Sequence, residues 1–374
     1  MSDYKVYELA EICSRLSSGK GIPASRISIE GDFPVYGGNG LRGYTDQANF
    51  SGECAIIGRQ GAFCGNVRYF KGEAYMTEHA VVVCATPEHN TRYLSYLLST
   101  MNLGRLSGQS AQPGLSVKTL AKQEVKMPSL EIQDRVASIL ALLDGKIELN
   151  KTVNENLEQQ AQAYFQELFV DNADPEWTTG TISDLGTVVG GSTPSKAKPE
   201  YYTETGIAWI TPKDLSINKS KFVSHGENDI TELGLKNSSA VIMPEGTVLF
   251  SSRAPIGYIA IATDEVTTNQ GFKSVVPKQE IGTPFVYFFL KNTLPVIEGM
   301  ASGSTFKEVS GSTMKKVPAV IPDAETLAKF SNFCAPIFAQ QRILEEQNQS
   351  LAILRDNLLP KLMSGEIDVS DVQL

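Results

Sequence analysis

Hydrophobic positions return every three or four residues along two long segments of the chain, which is the pattern of one apolar stripe on an α-helix. In residues 132–170 the stripe consists of Val136, Ile139, Leu140, Leu143, Ile147, Val153, Leu157, Ala161, Tyr164 and Leu168. In residues 325–363 it consists of Phe330, Phe333, Ile337, Leu344, Leu351, Leu354, Leu358 and Leu362. A helix of about 38 residues would be roughly 57 Å long.

A helix of that length must bury its apolar stripe, and the other segment is the obvious partner. We therefore predict a long antiparallel two-helix coiled coil, while a core helix inside a globular domain is the simpler alternative. Asn150 lies in the first stripe at the position that Leu344 occupies in the second. A polar residue at such a position commonly fixes the register of a helix pair, and it could equally contact a partner helix.

The region around each long helix is repeated along the chain. Residues 107–169 align with residues 301–363 without a gap, at a constant offset of 194 (301 − 107). In each copy a loop of small polar residues precedes a hydrophobic position (Leu120, Met314), a proline (Pro128, Pro322) and the helix. Because internal repetition outranks single motifs, we predict two similar globular modules related by a pseudo-twofold internal repeat.

The modules themselves combine short strands, loops and short helices. Runs such as 54–57, 80–83, 247–250 and 273–276 are rich in strand-forming residues and are bounded by Gly, Asn and Pro. The predicted fold class is α+β, with two globular domains separated by the coiled coil. The predicted boundaries are 1–130 for the first domain, 131–170 for the first helix, 171–324 for the second domain, 325–364 for the second helix and 365–374 for a C-terminal tail.

Composition narrows the class of protein. The 374 residues include 33 Lys and Arg against 42 Asp and Glu, which gives a net charge of −9. No apolar run approaches the roughly 18 to 20 residues of a membrane helix, and no apolar signal segment opens the sequence, so we expect a cytoplasmic protein without a membrane partner. Five cysteines without a Cys-x-x-Cys pair favour buried thiols over a zinc site or disulfides.

Motifs for catalysis or nucleotide binding are missing from the sequence. The glycine-rich stretches 36–40 and 58–65 lack the Lys-Ser/Thr ending of a phosphate loop. The three histidines, His79, His89 and His225, do not have metal-ligand spacing, and there is no Gly-x-Ser-x-Gly motif. The sequence therefore predicts a protein with no catalytic residue, no metal and no cofactor of its own.

The order of the loop motifs across the two halves resembles the specificity subunit of type I restriction-modification systems. The stretches that carry the resemblance are 33–44 (FPVYGGNGLRGY), 57–61 (IGRQG), 77–80 (TEHA), 190–195 (GGSTPS), 209–215 (WITPKDL), 302–305 (SGST) and 358–366 (LLPKLMSGE). Together they span nearly the whole chain, and their order is more specific than any one of them.

This resemblance implies a sequence-specific DNA-binding subunit without catalytic activity. Two target-recognition domains would each read one half of a bipartite target, and the paired helices would set the spacer. The implied partners are double-stranded DNA and two methyltransferase (modification) subunits, with restriction or translocase subunits able to join. S-adenosylmethionine would then belong to the methyltransferase. The negative net charge leaves two explanations open: the positive residues cluster on one face, or the methyltransferase supplies most phosphate contacts while this chain mainly reads bases. We expect weak DNA binding by the chain alone and much tighter binding with the methyltransferase.

Candidate DNA-binding residues follow from side-chain chemistry, since arginine pairs with guanine and asparagine or glutamine with adenine. In the first domain they are Asn39, Arg42, Arg59, Gln60, Gln109 and Gln112. In the second they are Lys196, Lys198, Ser252, Arg253, Thr305 and Lys307. The alternative for each is a phosphate contact or a solvated loop. Amides beside the helix stripes, such as Gln159 and Gln341, suit either a partner's helices or solvent.

Two functions of other classes stay open at this point. One is a two-headed scaffold whose modules bind peptides or glycans, which would explain the acidity better. The other is a hydrolase that uses Cys64 or Cys84 with His79. Loss of an activity on thiol alkylation would favour the hydrolase.

Overall fold

The computed structural model describes residues 4–107, 114–303 and 307–372. The chain divides into two compact units: unit 1 comprises Met1–Glu148 with Gln349–Leu374, and unit 2 comprises Leu149–Asn348. Each unit contains a globular α+β part together with a segment of each of the two long helices.

Unit 1 is built around a six-stranded sheet. The strands of the unit are β1 (Lys5–Glu8), β2 (Cys13–Ser18), β3 (Phe33–Gly37), β4 (Gly40–Thr45), β5 (Phe50–Gly58), β6 (Val67–Met76), β7 (Ala80–Ala85) and β8 (Glu124–Met127). Its helices are α1 (Thr91–Thr100), α2 (Val117–Ala121) and the first part of α3 (Leu130–Gln166). The sheet order is β2-β7-β5-β6-β3-β4, in which β3 is parallel to β6, while β1 and β8 form a separate antiparallel pair.

The sheet of unit 1 is buried on both faces. Val81 and Val83 of β7 belong to a core cluster that also contains Leu98 of α1 and Leu140 of α3. Val82 points to the opposite cluster. Because successive side chains of a strand face opposite sides, a central strand covered on both sides is apolar at every position. This accounts for the unbroken apolar run at 80–83.

Unit 2 contains a larger set of shorter strands. They are β9 (Thr178–Thr181), β10 (Gly186–Gly190), β11 (Tyr202–Thr203), β12 (Ile207–Ile210), β13 (Phe222–Val223), β14 (Asn228–Ile230), β15 (Val248–Ser252), β16 (Ile256–Ala262), β17 (Thr267–Thr268), β18 (Lys273–Pro277) and β19 (Pro318–Ile321). The helices are the rest of α3, α4 (Ile182–Leu185), α5 (Pro212–Ile217), α6 (Glu232–Lys236), α7 (Thr283–Gly299), α8 (Gly311–Lys315) and the first part of α9 (Ala324–Ser364), up to Asn348. The sheet orders are β10-β18-β15-β16-β13, β11-β14-β12-β17 and β19-β9.

The two long helices pair in an antiparallel manner within each unit. In unit 2 the Phe165 ring lies 5.8 Å from the Phe330 ring, and Asn150 Nδ2 donates to Asn348 Oδ1 at 3.0 Å, so residue numbers rise along α3 as they fall along α9. In unit 1 Arg355 Nη1 lies 3.1 Å from Asp144 Oδ1. The predicted α+β fold with an antiparallel helix pair is confirmed.

The position of Asn150 in the apolar stripe also has a structural explanation. Its side chain is 1% exposed, and its amide contacts α9 through Asn348 and through Gln347 Oε1 at 3.4 Å. A buried amide needs such partners, because an unpaired polar group in the helix interface would be costly. Asn150 is therefore a polar contact between the two helices.

One of the amides beside the stripes belongs to the interior of unit 2. Gln341 is 2% exposed, accepts a hydrogen bond from Lys221 Nζ at 2.9 Å and donates to Glu158 Oε2 at 3.3 Å. The idea that it faces solvent or another protein is therefore wrong, because its polar atoms are used inside the unit. Gln159, in contrast, is exposed.

Candidate nucleic-acid interface

Several chain segments of unit 1 meet where strands β2, β3, β5 and β6 end, and backbone hydrogen bonds hold them together. The bonds are Gly19 N–H to Ala80 O (3.0 Å), Lys20 N–H to Met76 O (2.9 Å), Thr77 N–H to Tyr36 O (2.9 Å), Ala80 N–H to Thr77 O (3.0 Å), Arg59 N–H to His79 O (3.0 Å) and Leu115 N–H to Arg59 O (2.8 Å). We call this set of segments, 19–20, 36–42, 58–60, 76–80 and 114–115, the loop junction of unit 1. It joins the loop motifs that the sequence singles out in the first module.

Unit 2 contains a loop junction made by the same set of bonds. They are Gly191 N–H to Phe272 O (3.4 Å), Ser192 N–H to Thr268 O (2.8 Å), Asn269 N–H to Ile210 O (3.0 Å), Phe272 N–H to Asn269 O (3.2 Å), Ser252 N–H to Gly271 O (2.7 Å) and Val309 N–H to Ser252 O (3.0 Å). Each residue in the six bonds of one junction therefore has a homologous residue in the other. Gln60, bridged to Gly114, corresponds in the same way to Arg253, bridged to Glu308.

Each junction includes a glycine where two backbones approach closely. A Cβ on Gly19 would lie 2.0 Å from the Met76 carbonyl oxygen, and a Cβ on the homologous Gly191 would lie 2.0 Å from the Asn269 carbonyl oxygen. No side chain can occupy such a position without moving the backbone. Glycine here allows the loops to pack on one another, which is a different use from cradling a phosphate.

Four of the first-domain candidates lie at the loop junction of unit 1. Asn39 is exposed in the turn between β3 and β4, and Gln60 is exposed after β5. Arg42 is exposed on β4, where its Cδ lies against Gly37. Arg59 is half-buried, and its Nη1 donates to Ser18 Oγ at 3.4 Å. Gln109 and Gln112 lie outside the described residues.

The second-domain candidates are more scattered. Arg253 is at the loop junction, where its backbone is bridged to Glu308. Lys307 is exposed and precedes Glu308 in the chain. Lys196 and Lys198 are exposed in the segment after β10, where Lys198 Nζ lies 5.5 Å from the centre of the Tyr201 ring. None of the six bonds of the junction joins these two lysines to it. Thr305 lies outside the described residues.

The prediction for Ser252 needs correction. Its side chain is fully buried, its Oγ donates to the Gly271 carbonyl at 3.1 Å, and it accepts from Lys273 Nζ at 3.4 Å. A hydroxyl enclosed in this way does not present a group to a ligand. Ser252 is a structural residue of the junction, and the side chain that it supports is Lys273.

Sequence reasoning missed the charged pair around Ser252. Lys273 Nζ lies 3.2 Å from the Gln270 carbonyl oxygen and 3.8 Å from Glu308 Oε1, while Arg253 Nη1 lies 3.5 Å from Glu308 Oε2. Burial lowers the pKa of Lys273, and Glu308 opposes that effect. The available signal was a lone lysine in the apolar strand run at 273–276. In chemical terms, the two junctions offer hydrogen-bond donors and acceptors on exposed loops.

The cysteines do not have the environment of an activated nucleophile. All five are free thiols. Burial raises the pKa of Cys64 and of Cys84, whereas a catalytic thiol needs a lowered pKa. His79 Nε2 is 3.3 Å from Glu78 Oε1. These contacts do not favour the hydrolase alternative.

Among the described residues there is neither a metal-binding cluster nor a membrane-spanning helix. Within 4–107, 114–303 and 307–372, no group of three or more His, Cys, Asp or Glu side chains could hold a metal ion. Over the same ranges, no helix combines the length and the apolar character needed to cross a membrane.

Comparison with known proteins gives one family model that matches most of the chain. The model, described as the type I restriction modification DNA specificity domain, matches residues 1–159 and 175–354. Each matched range contains one globular domain and most of the long helix that follows it.

Individual relatives share parts of the chain. The specificity subunit of the type I restriction enzyme MjaIX from Methanocaldococcus jannaschii is 41% identical over 169 residues, which are 45% of this chain and 39% of that protein. The EcoprrI specificity subunit from Escherichia coli is 46% identical over 112 residues, 30% of this chain and 28% of that protein. The chain thus matches less than half the length of either relative.

A solved structure matches the fold over nearly its full length. The crystal structure of the S subunit of a type I restriction-modification system from M. genitalium has a TM-score of 0.65 and 18% sequence identity, and the match covers 96% of each chain. At that identity the likeness is one of fold. It extends over both halves of the chain and both long helices.

Proposed function

Because the chain belongs to the type I restriction-modification DNA specificity family, we propose that it reads a bipartite DNA target and directs a methylating partner to it. Each globular domain recognises one half-site. The domain limits that we propose are 1–130 and 171–324, with the long helices at 131–170 and 325–364.

The observation that supports this proposal best is the duplication of the loop junction. Six backbone hydrogen bonds recur in both units, yet the side chains at homologous positions differ, as with Gln60 and Arg253. A shared backbone that displays different donors and acceptors suits two domains that bind the same kind of ligand but prefer different sequences.

The methylation itself falls to partners. The proposed complex contains two methyltransferase subunits, which bind S-adenosylmethionine and transfer its methyl group to the N6 atom of an adenine in each half-site. Restriction or translocase subunits can join this complex. The present chain contributes recognition and no catalysis, which agrees with the raised thiol pKa values of Cys64 and Cys84.

The charge of the chain supports a division of labour with the methyltransferase. A net charge of −9 opposes the bulk attraction to phosphates that dominates non-specific DNA affinity. The partner therefore supplies most phosphate contacts, while this chain supplies base contacts. Weak binding by the chain alone and strong binding by the complex follow.

The test is a measurement of DNA affinity and of adenine methylation. Full-length chain, methyltransferase subunits and their mixture are each titrated with genomic DNA fragments at a fixed salt concentration, and methylated adenines are mapped. We expect micromolar or weaker binding by the chain, much tighter binding by the mixture, and methylation at one two-part motif only when both are present. The scaffold alternative gains support if the chain neither tightens DNA binding nor creates a methylation motif.

A further inference from the structure

The loop junction of unit 2 contains a carboxylate between two cations. Glu308 Oε2 lies 3.5 Å from Arg253 Nη1, and Glu308 Oε1 lies 3.8 Å from Lys273 Nζ. The backbone of Glu308 also bridges Arg253 directly. Each oxygen of the carboxylate therefore faces a different cation, and the backbone bridge keeps Arg253 and Glu308 side by side.

An acidic residue in this place is unexpected on a surface that binds DNA. A carboxylate within 4 Å of an arginine repels an approaching phosphate and weakens the attraction that the arginine would exert. It does not interfere in the same way with a base edge, because a base edge is uncharged. Glu308 thus weakens binding to the DNA backbone. Its presence at the junction indicates a role other than phosphate binding.

That role is to orient the Arg253 guanidinium. Arginine recognises guanine with two parallel hydrogen bonds to O6 and N7, and such a contact needs a fixed fork. Arg253 is only partly exposed, with 36% of its side-chain surface accessible, so the chain already restricts its motion. An acid that holds one nitrogen of the fork leaves the remaining donors pointing in a defined direction.

Lys273 completes the arrangement. Its side chain is only 14% exposed and its Nζ is also held by Ser252 Oγ at 3.4 Å and by the Gln270 carbonyl at 3.2 Å. Two cations this close repel each other, and Glu308 offsets that repulsion. Lys273 therefore faces the carboxylate oxygen that Arg253 does not.

The homologous position in unit 1 has a different composition. Gln60 stands where unit 2 has Arg253, and Gly114 stands where unit 2 has Glu308. A neutral amide has no need of a counter-charge, and none is placed opposite it. The acid occurs together with the arginine that it can orient.

From this geometry we infer that Arg253 reads a guanine in the second half-site and that Glu308 is a positioning residue for that contact. The inference rests on the proposed function, and it adds the base and the residues that select it. Lys273 supports the position of Glu308 and does not itself contact the base.

The test compares Glu308→Gln with Glu245→Gln in the full-length chain assembled with its methyltransferase. Glu245 is a matched control, because its Oε1 also lies 3.5 Å from an arginine, Arg342, within unit 2. Affinity is measured for a duplex that carries the mapped motif and for duplexes in which each base pair of either half-site is replaced. We expect Glu308→Gln to reduce discrimination at one guanine of the second half-site by about tenfold, which lies within the range of one bidentate contact.

Affinity for unrelated DNA shows whether Glu308 positions Arg253 or only supports the fold of the domain. Glu308→Gln removes a negative charge beside two cations, so binding to unrelated DNA should stay equal or rise about twofold. A variant that is simply misfolded would lose both affinities and would also lose discrimination in the first half-site. Arg253→Lys, which keeps the charge but not the fork, should lose discrimination at the same guanine.

Two results overturn the inference. One is full discrimination at every base pair of the second half-site in Glu308→Gln, and the other is a loss that also appears in Glu245→Gln. If wild-type complex shows no two-part motif at all, the proposed function fails, and that outcome is recognised before any variant is made.

Discussion

Lys221 Nζ lies 2.7 Å from Glu158 Oε2, so a lysine next to β13 is paired with a carboxylate of α3 inside unit 2. The lysine side chain is 7% exposed. Its Nζ also bonds Gln341 Oε1 of α9 at 2.9 Å and lies 3.6 Å from the centre of the Phe338 ring. Glu158 bonds a second cation, Lys291 of α7, at 2.5 Å. These contacts connect the edge of the five-stranded sheet of unit 2 to both long helices.

Replacement of Lys221 by methionine should destabilise unit 2 strongly. Removal of one partner leaves a buried carboxylate with incomplete compensation, and such losses cost about 3 kcal/mol or more. Urea unfolding followed by circular dichroism measures the free energy. Arg342→Met is the control, since Arg342 pairs with Glu245 and Glu346 at the surface, and it should cost less than about 1 kcal/mol. Similar losses in both variants would contradict the expectation.

The same carboxylate should make the protein sensitive to acid. Burial opposes ionisation of Glu158, but the ammonium groups of Lys221 and Lys291 outweigh it and lower the pKa of this carboxyl to about 2, from an ordinary 4.5. A lowered carboxyl pKa stabilises the fold fully above the unfolded value and loses that contribution as the pH falls through the folded value. The contribution should therefore disappear between about pH 4.5 and about pH 2.

The comparison that isolates this effect is wild type against Glu158→Gln. At about 1.4 kcal/mol per unit of pKa, the wild-type free energy of unfolding should fall by about 3 kcal/mol more than that of the variant over that interval. Urea midpoints measured at a series of pH values give both curves. Parallel curves would mean that the pKa of Glu158 is the same in the folded and unfolded states, which would contradict the expectation.

The sequence was sufficient to predict the long helices and the family. Stripes at three- and four-residue spacing predicted segments 132–170 and 325–363, and the structure has α3 at Leu130–Gln166 and α9 at Ala324–Ser364. The loop motifs identified the family because they occur in a fixed order over nearly the whole chain. The polar contact of Asn150 could also be predicted, since one polar residue interrupts an otherwise apolar stripe.

The homology between the two loop junctions could not be predicted in the same way. Leu115 and Val309 keep the constant offset of 194, but Arg59 and Ser252 differ by 193 (252 − 59) and Gly19 and Gly191 by 172 (191 − 19). Unit 2 has extra residues between the recurring bonds, and these change the offset. Backbone hydrogen bonds also do not depend on the identity of the side chains, so the sequence does not reveal them. Burial of Ser252 was hidden for a related reason, because strand register decides which residue faces inward.

Alanine at Gly19 should disrupt the loop junction of unit 1. Its Cβ would lie 2.0 Å from the Met76 carbonyl oxygen. Neither atom can move away without a shift of the backbone. We expect a loss of about 1 to 3 kcal/mol in unfolding free energy, together with weaker binding of the first half-site by the complex. Gly145→Ala is the control, because its Cβ would have no neighbour within 4 Å and alanine favours a helix. The free energy of unfolding of that variant should rise by about 0.5 to 1 kcal/mol. A fall equal to that of Gly19→Ala would contradict the expectation.

Arg42 should contribute one positive charge to the contact with DNA. It is exposed on β4 beside the turn of the loop junction, and among the described residues no ion pair involves its side chain. Each cation that meets DNA releases counterions, so loss of one lowers the dependence of affinity on salt. We expect Arg42→Ala in the assembled complex to reduce the slope of log affinity against log salt by about one.

Arg26 provides the comparison within the same unit. Its Nη2 lies 2.6 Å from Asp46 Oδ1, so its charge is already compensated and Arg26→Ala should leave the salt slope unchanged. The sequence dependence then tells which DNA group Arg42 meets, because a phosphate contact weakens all duplexes alike and a base contact weakens only those that carry one particular base pair. Equal slopes for both variants and wild type would remove Arg42 from the interface, since an exposed cation that meets DNA cannot be deleted without a change in counterion release.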